Sequence, residues 1–369
     1  MLGIYVHIPF CNGKCPYCDF YSLAGDEEIK ERYVEAVLRE LEEAHRDGMR
    51  ADTLYFGGGT PTLLSPQQLG RITTQARRLY ELQNAEITTE ANPNSVTFNQ
   101  LDSLRQSGIN RISFGVQSAV DAELKLLGRR HTAAQAEQAI TLAKQAGFDN
   151  ISCDLMLGIP NQTAQSLAQS LDWINRQNIQ HVSAYLLKIE PSTPYFGSEV
   201  LKLCPSDDTC ADLYLQTVRS LTQMGFEQYE ISNFSIPGLE SRHNLKYWQC
   251  EEYLGVGAAA HSFLNGRRYG HSRKLERYLA LGLQDVQFTD ENAGGMEERL
   301  MLGLRLNRGM ALDSLKGLHN PKGFLDRVDA YKALGLLTVS GNRIALTPEG
   351  FLLSNTILSD LISYALPPD

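Results

Sequence analysis

Short apolar, β-rich runs recur along the first half of the chain at roughly 30-residue spacing, at 3–8, 53–56, 86–90, 111–116, 151–156 and 182–187. Between them lie segments of helical periodicity. In 26–48, for example, Ile29, Tyr33, Val37, Leu41 and Ala44 fall on one face of a helix. Ser65 before Pro66 has the N-cap and first-turn pairing of a helix start. Gly108 and Gly147 stand where helices should stop before the next strand. Alternating β and α units imply a parallel sheet with helices outside. Six such units curve without closing as an eight-unit barrel does, so the expected fold class is α/β, an open (β/α)6 partial barrel. Its working face is expected at the carboxyl ends of the strands, where Cys11, Gly57 and Asn92 stand.

The first of those strand ends carries Cys11, Cys15 and Cys18, spaced Cys-x3-Cys-x2-Cys. Three thiolates can hold a cubane 4Fe–4S cluster by three of its irons, which leaves the fourth iron open to a small molecule. A cluster that only carries electrons normally has every iron capped by protein, so an incomplete ligand set points to chemistry at the open corner. The competing reading is zinc, or unrelated buried thiols. Tetrahedral zinc draws on two short Cys/His pairs, and no second pair follows; Cys153, Cys204, Cys210 and Cys250 show no pairing pattern.

A net charge of −9 argues against nonspecific nucleic-acid binding. The start, Met1 to His7, has no basic segment of a secretory signal, and the longest uncharged apolar stretch, around Leu254 to Ala260, is too short to span a bilayer. Seven cysteines without a regular framework suit a reducing compartment, so the expected location is cytoplasmic, with peripheral membrane association left open.

Other strand ends carry polar groups. Gly57, Gly58 and Gly59, followed by Thr60, let the backbone approach a ligand closely, and exposed amides there can bind a carboxylate. Glu90 ends the third strand; a carboxylate buried in a barrel mouth needs a cation, and otherwise it is a surface charge. Gln117 ends the fourth strand and supplies both a donor and an acceptor. Arg129 follows it, and Asp154 lies in the fifth strand.

The cysteine spacing after a strand resembles the signature of the radical S-adenosyl-L-methionine (radical SAM) enzymes. The longer run Tyr5-Val6-His7-Ile8-Pro9-Phe10, with Cys18-Asp19-Phe20 after it, resembles the HemN/HemW branch, the oxygen-independent coproporphyrinogen III oxidase family, over nearly the whole chain. The resemblance implies a 4Fe–4S cluster on Cys11, Cys15 and Cys18. It implies contacts to SAM from Tyr5, Tyr17, Gly58, Gly59, Thr60, Glu90, Gln117, Arg129 and Asp154, with Tyr17 near the adenine. One electron from the cluster would then cleave a carbon–sulfur bond of SAM, with the protein positioning the cofactors.

Two departures from the oxidases matter. The oxidases carry another cysteine two residues after the third ligand, where this chain has Phe20, and a long segment before the first strand, where it has Met1 and Leu2. Both departures resemble the HemW subfamily of heme chaperones. So does His243-Asn244-Leu245-Lys246-Tyr247-Trp248, an H-N-x-x-Y-W motif. The expected function is therefore to bind heme and pass it to an acceptor protein, with oxidative decarboxylation of coproporphyrinogen III as the alternative; whether the chain is an enzyme stays open. Histidine can ligate heme iron, and Tyr and Trp can pack on the macrocycle, which makes His243, Tyr247 and Trp248 heme candidates and His261 a second histidine candidate. The competing reading of the motif is a hydrogen-bonded histidine beside a core Trp. The acceptor and the electron donor have no signature in the sequence.

The expected organisation is a barrel over 1–200, a flanking α/β region over 201–290, and a C-terminal unit over 291–369. After about 200 a helix is expected at 207–225, a strand at 227–231 and an irregular segment through 272. From 291 the pattern reads three helices, a hairpin turned at Gly341-Asn342 and a final helix, a mostly helical, winged-helix-like order. This unit holds eight Lys/Arg against nine Asp/Glu, so a packing or partner-binding role is favoured over a DNA-binding wing.

Overall fold

A computed structural model describes residues 1–291, 293–315 and 317–367; the last two positions of the expected C-terminal unit lie outside the described residues. The chain opens with β1 (Leu2–Ile8), α1 (Glu27–Ala44), β2 (Ala51–Gly58), α2 (Pro66–Tyr80), β3 (Glu86–Ala91) and α3 (Phe98–Gln106). β4 (Arg111–Gln117), α4 (Asp121–Leu126), α5 (Ala133–Gln145), β5 (Ile151–Leu157), α6 (Ala164–Gln177) and β6 (His181–Leu186) follow. The strands pair in parallel and in chain order. This is the open (β/α)6 partial barrel, and each strand lies within two residues of its expected limits.

Local chemistry sets the helix starts. Asp26 accepts the Ile29 amide at 2.9 Å ahead of α1. Capping boxes of Ser65 with Gln68 and of Thr132 with Gln135 open α2 and α5, each cap being worth roughly 1 kcal/mol. Strand alternation then sorts the side chains. Ile4, Val6 and Ile8 are fully buried and join Tyr33, Val34, Val37 and Leu41 of α1 in one continuous core. Burial of such a side chain contributes roughly 2 kcal/mol. The alternate positions, among them Tyr5, Tyr55, Glu90 and Asp154, turn polar or aromatic groups into the barrel.

The stretch after β6 is more ordered than its sequence suggested. α7 (Asp207–Gln223) leads to a hairpin, β7 (Glu227–Glu230) and β8 (Asn233–Ser235), that pairs antiparallel with β6. The expected irregular segment holds α8 (Arg242–Trp248), β9 (Tyr253–Val256), β10 (His261–Leu264) and β11 (Arg267–Gly270). β9 pairs in parallel with β1, and α9 (Leu275–Leu281) and β12 (Gln287–Asp290) complete a twelve-stranded sheet of order β12-β11-β10-β9-β1-β2-β3-β4-β5-β6-β8-β7. Four-residue strands carry too little alternation to be seen locally; long-range pairing makes them.

The C-terminal unit comprises α10 (Met296–Gly303), β13 (Met310–Ala311), α11 (Pro321–Ala333), β14 (Leu337–Ser340), β15 (Arg343–Leu346), α12 (Pro348–Leu352) and α13 (Ser354–Ala365). Among the described residues two α-helices and a short 3-10 helix (Leu312–Ser314) precede the hairpin, with β13 paired to β15 and the Leu312 amide on Asn342 O at 2.8 Å. The final helix is broken in two at Leu353. The unit docks through Ile231 N on Arg305 O at 3.1 Å and the Arg305 guanidinium 4.5 Å from the Trp248 ring. Among the described residues no helix is long and apolar enough to cross a membrane.

Candidate functional site

A cavity of about 480 Å³ opens at the carboxyl ends of the barrel strands. Cys11, Cys15 and Cys18 line one side of it, with Tyr17 between the last two. No fourth cysteine and no histidine lines it among the described residues, and no three His, Cys, Asp or Glu groups there converge on a single metal ion. Three thiols on one wall, with His131 of the adjoining pocket bonded through Nε2 to Val116 O at 3.1 Å, fit a multi-iron cluster with one corner free better than a zinc ion.

The opposite walls come from successive strand ends. Gly58, Gly59, Thr60, Glu90, Gln117, Arg129 and Asp154 all reach the cavity. Arg129 stands beside the thiols: Nη1 lies 3.8 Å from Cys15 Sγ and Nη2 donates to Asn92 Oδ1 at 2.7 Å. Asn92 Nδ2 donates to Thr60 Oγ1 at 2.8 Å, and Thr60 Oγ1 points at Cys11 Sγ at 3.8 Å. Among the described residues Arg129 Nε is buried with no partner. A cation beside the thiols with a free donor suits a set of thiolates and an anionic ligand.

Glu90 accepts from Tyr55 OH at 2.9 Å and from the Gly58 amide at 3.1 Å. Burial, helped by the charge of Asp154, pushes its carboxyl up to about 7 against the pull of those two hydrogen bonds. A cationic ligand in the cavity would restore the ionised form. Asp154 is also raised, by burial above all, and accepts from Ser113 Oγ at 3.2 Å. Gln117 sits at φ +70°, an unusual conformation for a non-glycine residue, and its Oε1 accepts from Tyr185 OH at 2.9 Å.

Three expectations change. The glycine run does not offer a set of free amides: Gly58 N donates to Glu90, Gly59 N to Ile8 O at 2.9 Å and Thr60 N to Phe10 O at 2.8 Å. Its small size serves close backbone approach, since a Cβ on Gly59 would stand 2.5 Å from Phe10 O. Tyr5 does not line the large cavity. It bonds to His7 Nδ1 at 3.0 Å and lines a neighbouring groove of about 340 Å³.

The third concerns His243. It lies near the start of β1 and β2, at the far end of the barrel; a Cβ on Gly3 would stand 3.2 Å from its ring. It is 1% exposed, with Nδ1 bonded to Thr53 Oγ1 at 2.8 Å and Nε2 to Tyr247 OH at 2.8 Å. Burial, then the charges of Lys246 and Arg111, hold it neutral down to about pH 3. Glu86 accepts the amides of Arg242 and His243 at 3.0 and 3.1 Å. α8 is thus a plug in the barrel floor, and both ring nitrogens of His243 are occupied. Trp248 faces the C-terminal unit through Arg305. Of the motif, only Tyr247 reaches the 340 Å³ groove, where His261 is exposed.

Asn92 and Tyr185 are site residues that motif reading passed over as such; inward register on β6 was the available signal for Tyr185.

Residues 5–174 match the radical SAM superfamily, and residues 295–353 match the HemN C-terminal domain. The chain is 34% identical to a protein named heme chaperone HemW from Lactococcus lactis, over 97% of this chain and 96% of that one. It is 36% identical to heme chaperone HemW from Escherichia coli, over 97% of each. The chain belongs to the HemW family. The solved structure of coproporphyrinogen III oxidase (HemN) from Escherichia coli, titled a radical SAM enzyme, superposes on this HemW-family chain with a TM-score of 0.81 at 23% identity, covering 98% of this chain and 90% of that one. That likeness concerns the fold.

Proposed function

We propose that the chain is a heme chaperone that binds heme and passes it to an acceptor protein, carrying a 4Fe–4S cluster on Cys11, Cys15 and Cys18 with exchangeable SAM at the open iron. The observation that carries this reading is similarity to relatives named heme chaperone HemW along almost their entire length, in a chain whose three thiols share one cavity. When bound, the cluster supplies a single electron and an open coordination site.

The chain's own residues do the positioning. Arg129 places a fixed cation beside Cys15, where it would face an anionic ligand. Glu90 offers a carboxylate to the positive end of SAM, with Tyr55 and Gly58 fixing its orientation. Gln117 and Tyr185 form a hydrogen-bonded pair on the wall beyond Glu90. Tyr17, on the cavity wall, would offer an aromatic face to the adenine. All seven cysteines are free thiols, which supports a cytoplasmic location. An electron donor and a heme acceptor complete the proposed partners, with no role in nucleic-acid binding.

Anaerobic purification followed by iron, sulfide, SAM and heme stoichiometry tests the reading. Stoichiometric heme uptake without turnover of coproporphyrinogen III is the expected result. Formation of protoporphyrinogen would instead make the chain an oxidase.

A further inference from the structure

We infer that heme enters the groove beside the cluster cavity, with His261 as the axial ligand of its iron and Arg273 facing a propionate. This rests on the heme-chaperone reading above. The groove, about 340 Å³, falls within the range of small-molecule sites. Tyr21, Tyr253 and the outer face of Phe20 line it, and Phe20 is 67% exposed, an aromatic face that a flat macrocycle can cover.

Four imidazoles stand in or near this groove; His271 is buried with Nε2 on Glu40 at 2.6 Å, and among the described residues only His261 combines exposure with an unbonded ring. His7 has Nδ1 bonded to Tyr5 OH at 3.0 Å and Nε2 to Tyr21 O at 2.9 Å. His243 is saturated by Thr53 and Tyr247. His261 is exposed, and no hydrogen bond to its ring is formed among the described residues. Burial on one side, then the charges of Arg268, His271 and Arg273, lower its pKa, so the neutral ring has a lone pair for iron.

The surrounding backbone is held firmly while this ring is left without a partner. The Gly257 amide donates to Glu40 at 3.0 Å, Ala258 N to Tyr33 OH at 3.1 Å, and Ala259 N to Ser272 O at 3.1 Å. Ala259 is held at φ +65°, a conformation that persists in a non-glycine residue only where its surroundings impose it. Across the hairpin His261 pairs with Gly270. A Cβ on Gly270 would stand 2.7 Å from His261 Nδ1, so glycine there makes room for the ring. The fixed backbone sets the position of the imidazole, and its unpartnered nitrogens leave it open to a metal. Arg273, 54% exposed, supplies a cation on the same groove, anchored by the Asp19 carbonyl and carboxylate.

Ferric heme added anaerobically to the full chain is the test. The expected result is a Soret band of histidine-ligated heme in the wild type. In His261→Ala the band moves, affinity falls about ten-fold or more, and added imidazole restores the band. His243→Gln keeps the wild-type band, and Arg273→Gln weakens binding several-fold without moving it. Wild-type band and affinity in His261→Ala would overturn the ligand assignment while leaving the chaperone reading in place. An Arg273→Gln chain that binds as tightly as wild type would remove the propionate contact. A wild-type chain that takes up no heme would overturn both the groove and the chaperone reading.

Discussion

Arg129 Nη2 donates to Asn92 Oδ1 at 2.7 Å, and that bond closes a chain of contacts from Cys15 through Arg129, Asn92 and Thr60 to Cys11. Two of the three thiols are therefore tied through the ends of β2 and β3. Asn92→Ala removes an acceptor from a guanidinium and a donor from Thr60. The expected cost is about 2 kcal/mol of unfolding free energy, with faster loss of iron to a chelator although all three thiols remain. Urea unfolding and a chelator challenge measure both; wild-type values in each would show that the chain of bonds does not support the cluster.

Glu90 gives a pH dependence of defined sign. Its carboxyl titrates at about 7 in the folded protein and at about 4.3 in an unfolded chain. The folded state therefore holds the proton more tightly. Its stabilising contribution is full below the unfolded value and is lost as pH rises through 7. Cofactor-free protein is expected to lose up to roughly 3 kcal/mol between about pH 4.5 and 7.5 from this group, and Glu90→Gln to flatten that slope. Denaturation midpoints across the range decide it, a parallel slope in the variant being the adverse result.

His243→Ala is expected to act on the fold. It leaves Thr53 and the Tyr247 hydroxyl without their partner in a packed floor, at a cost of roughly 3 kcal/mol, while the Soret band of bound heme stays in place. A variant as stable as wild type but without that band would return the iron to His243.

Glu40, 1% exposed, accepts from His271 Nε2 and Tyr278 OH at 2.6 Å each and from Gly257 N at 3.0 Å. Glu40→Ala unpins the backbone that presents His261. The expected cost is about 3–5 kcal/mol, and amide exchange at Gly257 and Ala258 should accelerate more than in β3. Uniform protection across both segments would show that the node is not what holds the loop.

The barrel was legible because each of its strands carries several apolar residues next to a helix with its own cap, so local chemistry and global topology agree. The cysteine tripod and the polar residues of the strand ends were legible for a related reason: they follow strands at fixed offsets. β9 was not. Its four residues, Tyr253–Val256, become a strand only by lying against β1. The surroundings of His243 were not legible because a motif shows which residues are near one another, not that Thr53, 190 positions away, takes up its ring nitrogen. The free amides expected of the glycine run failed likewise, since the Ile8 and Phe10 carbonyls that occupy them belong to another strand end.

The parallel pairing of β1 with β9 also bears on how the protein is made. The amino-terminal strand leading into the thiol loop waits for its second neighbour until residue 256 has been synthesised. Such distant contacts form late and slowly. Iron offered before β9 emerges would meet a half-built seat, so a cluster on these thiols is expected to assemble only after Val256 has left the ribosome.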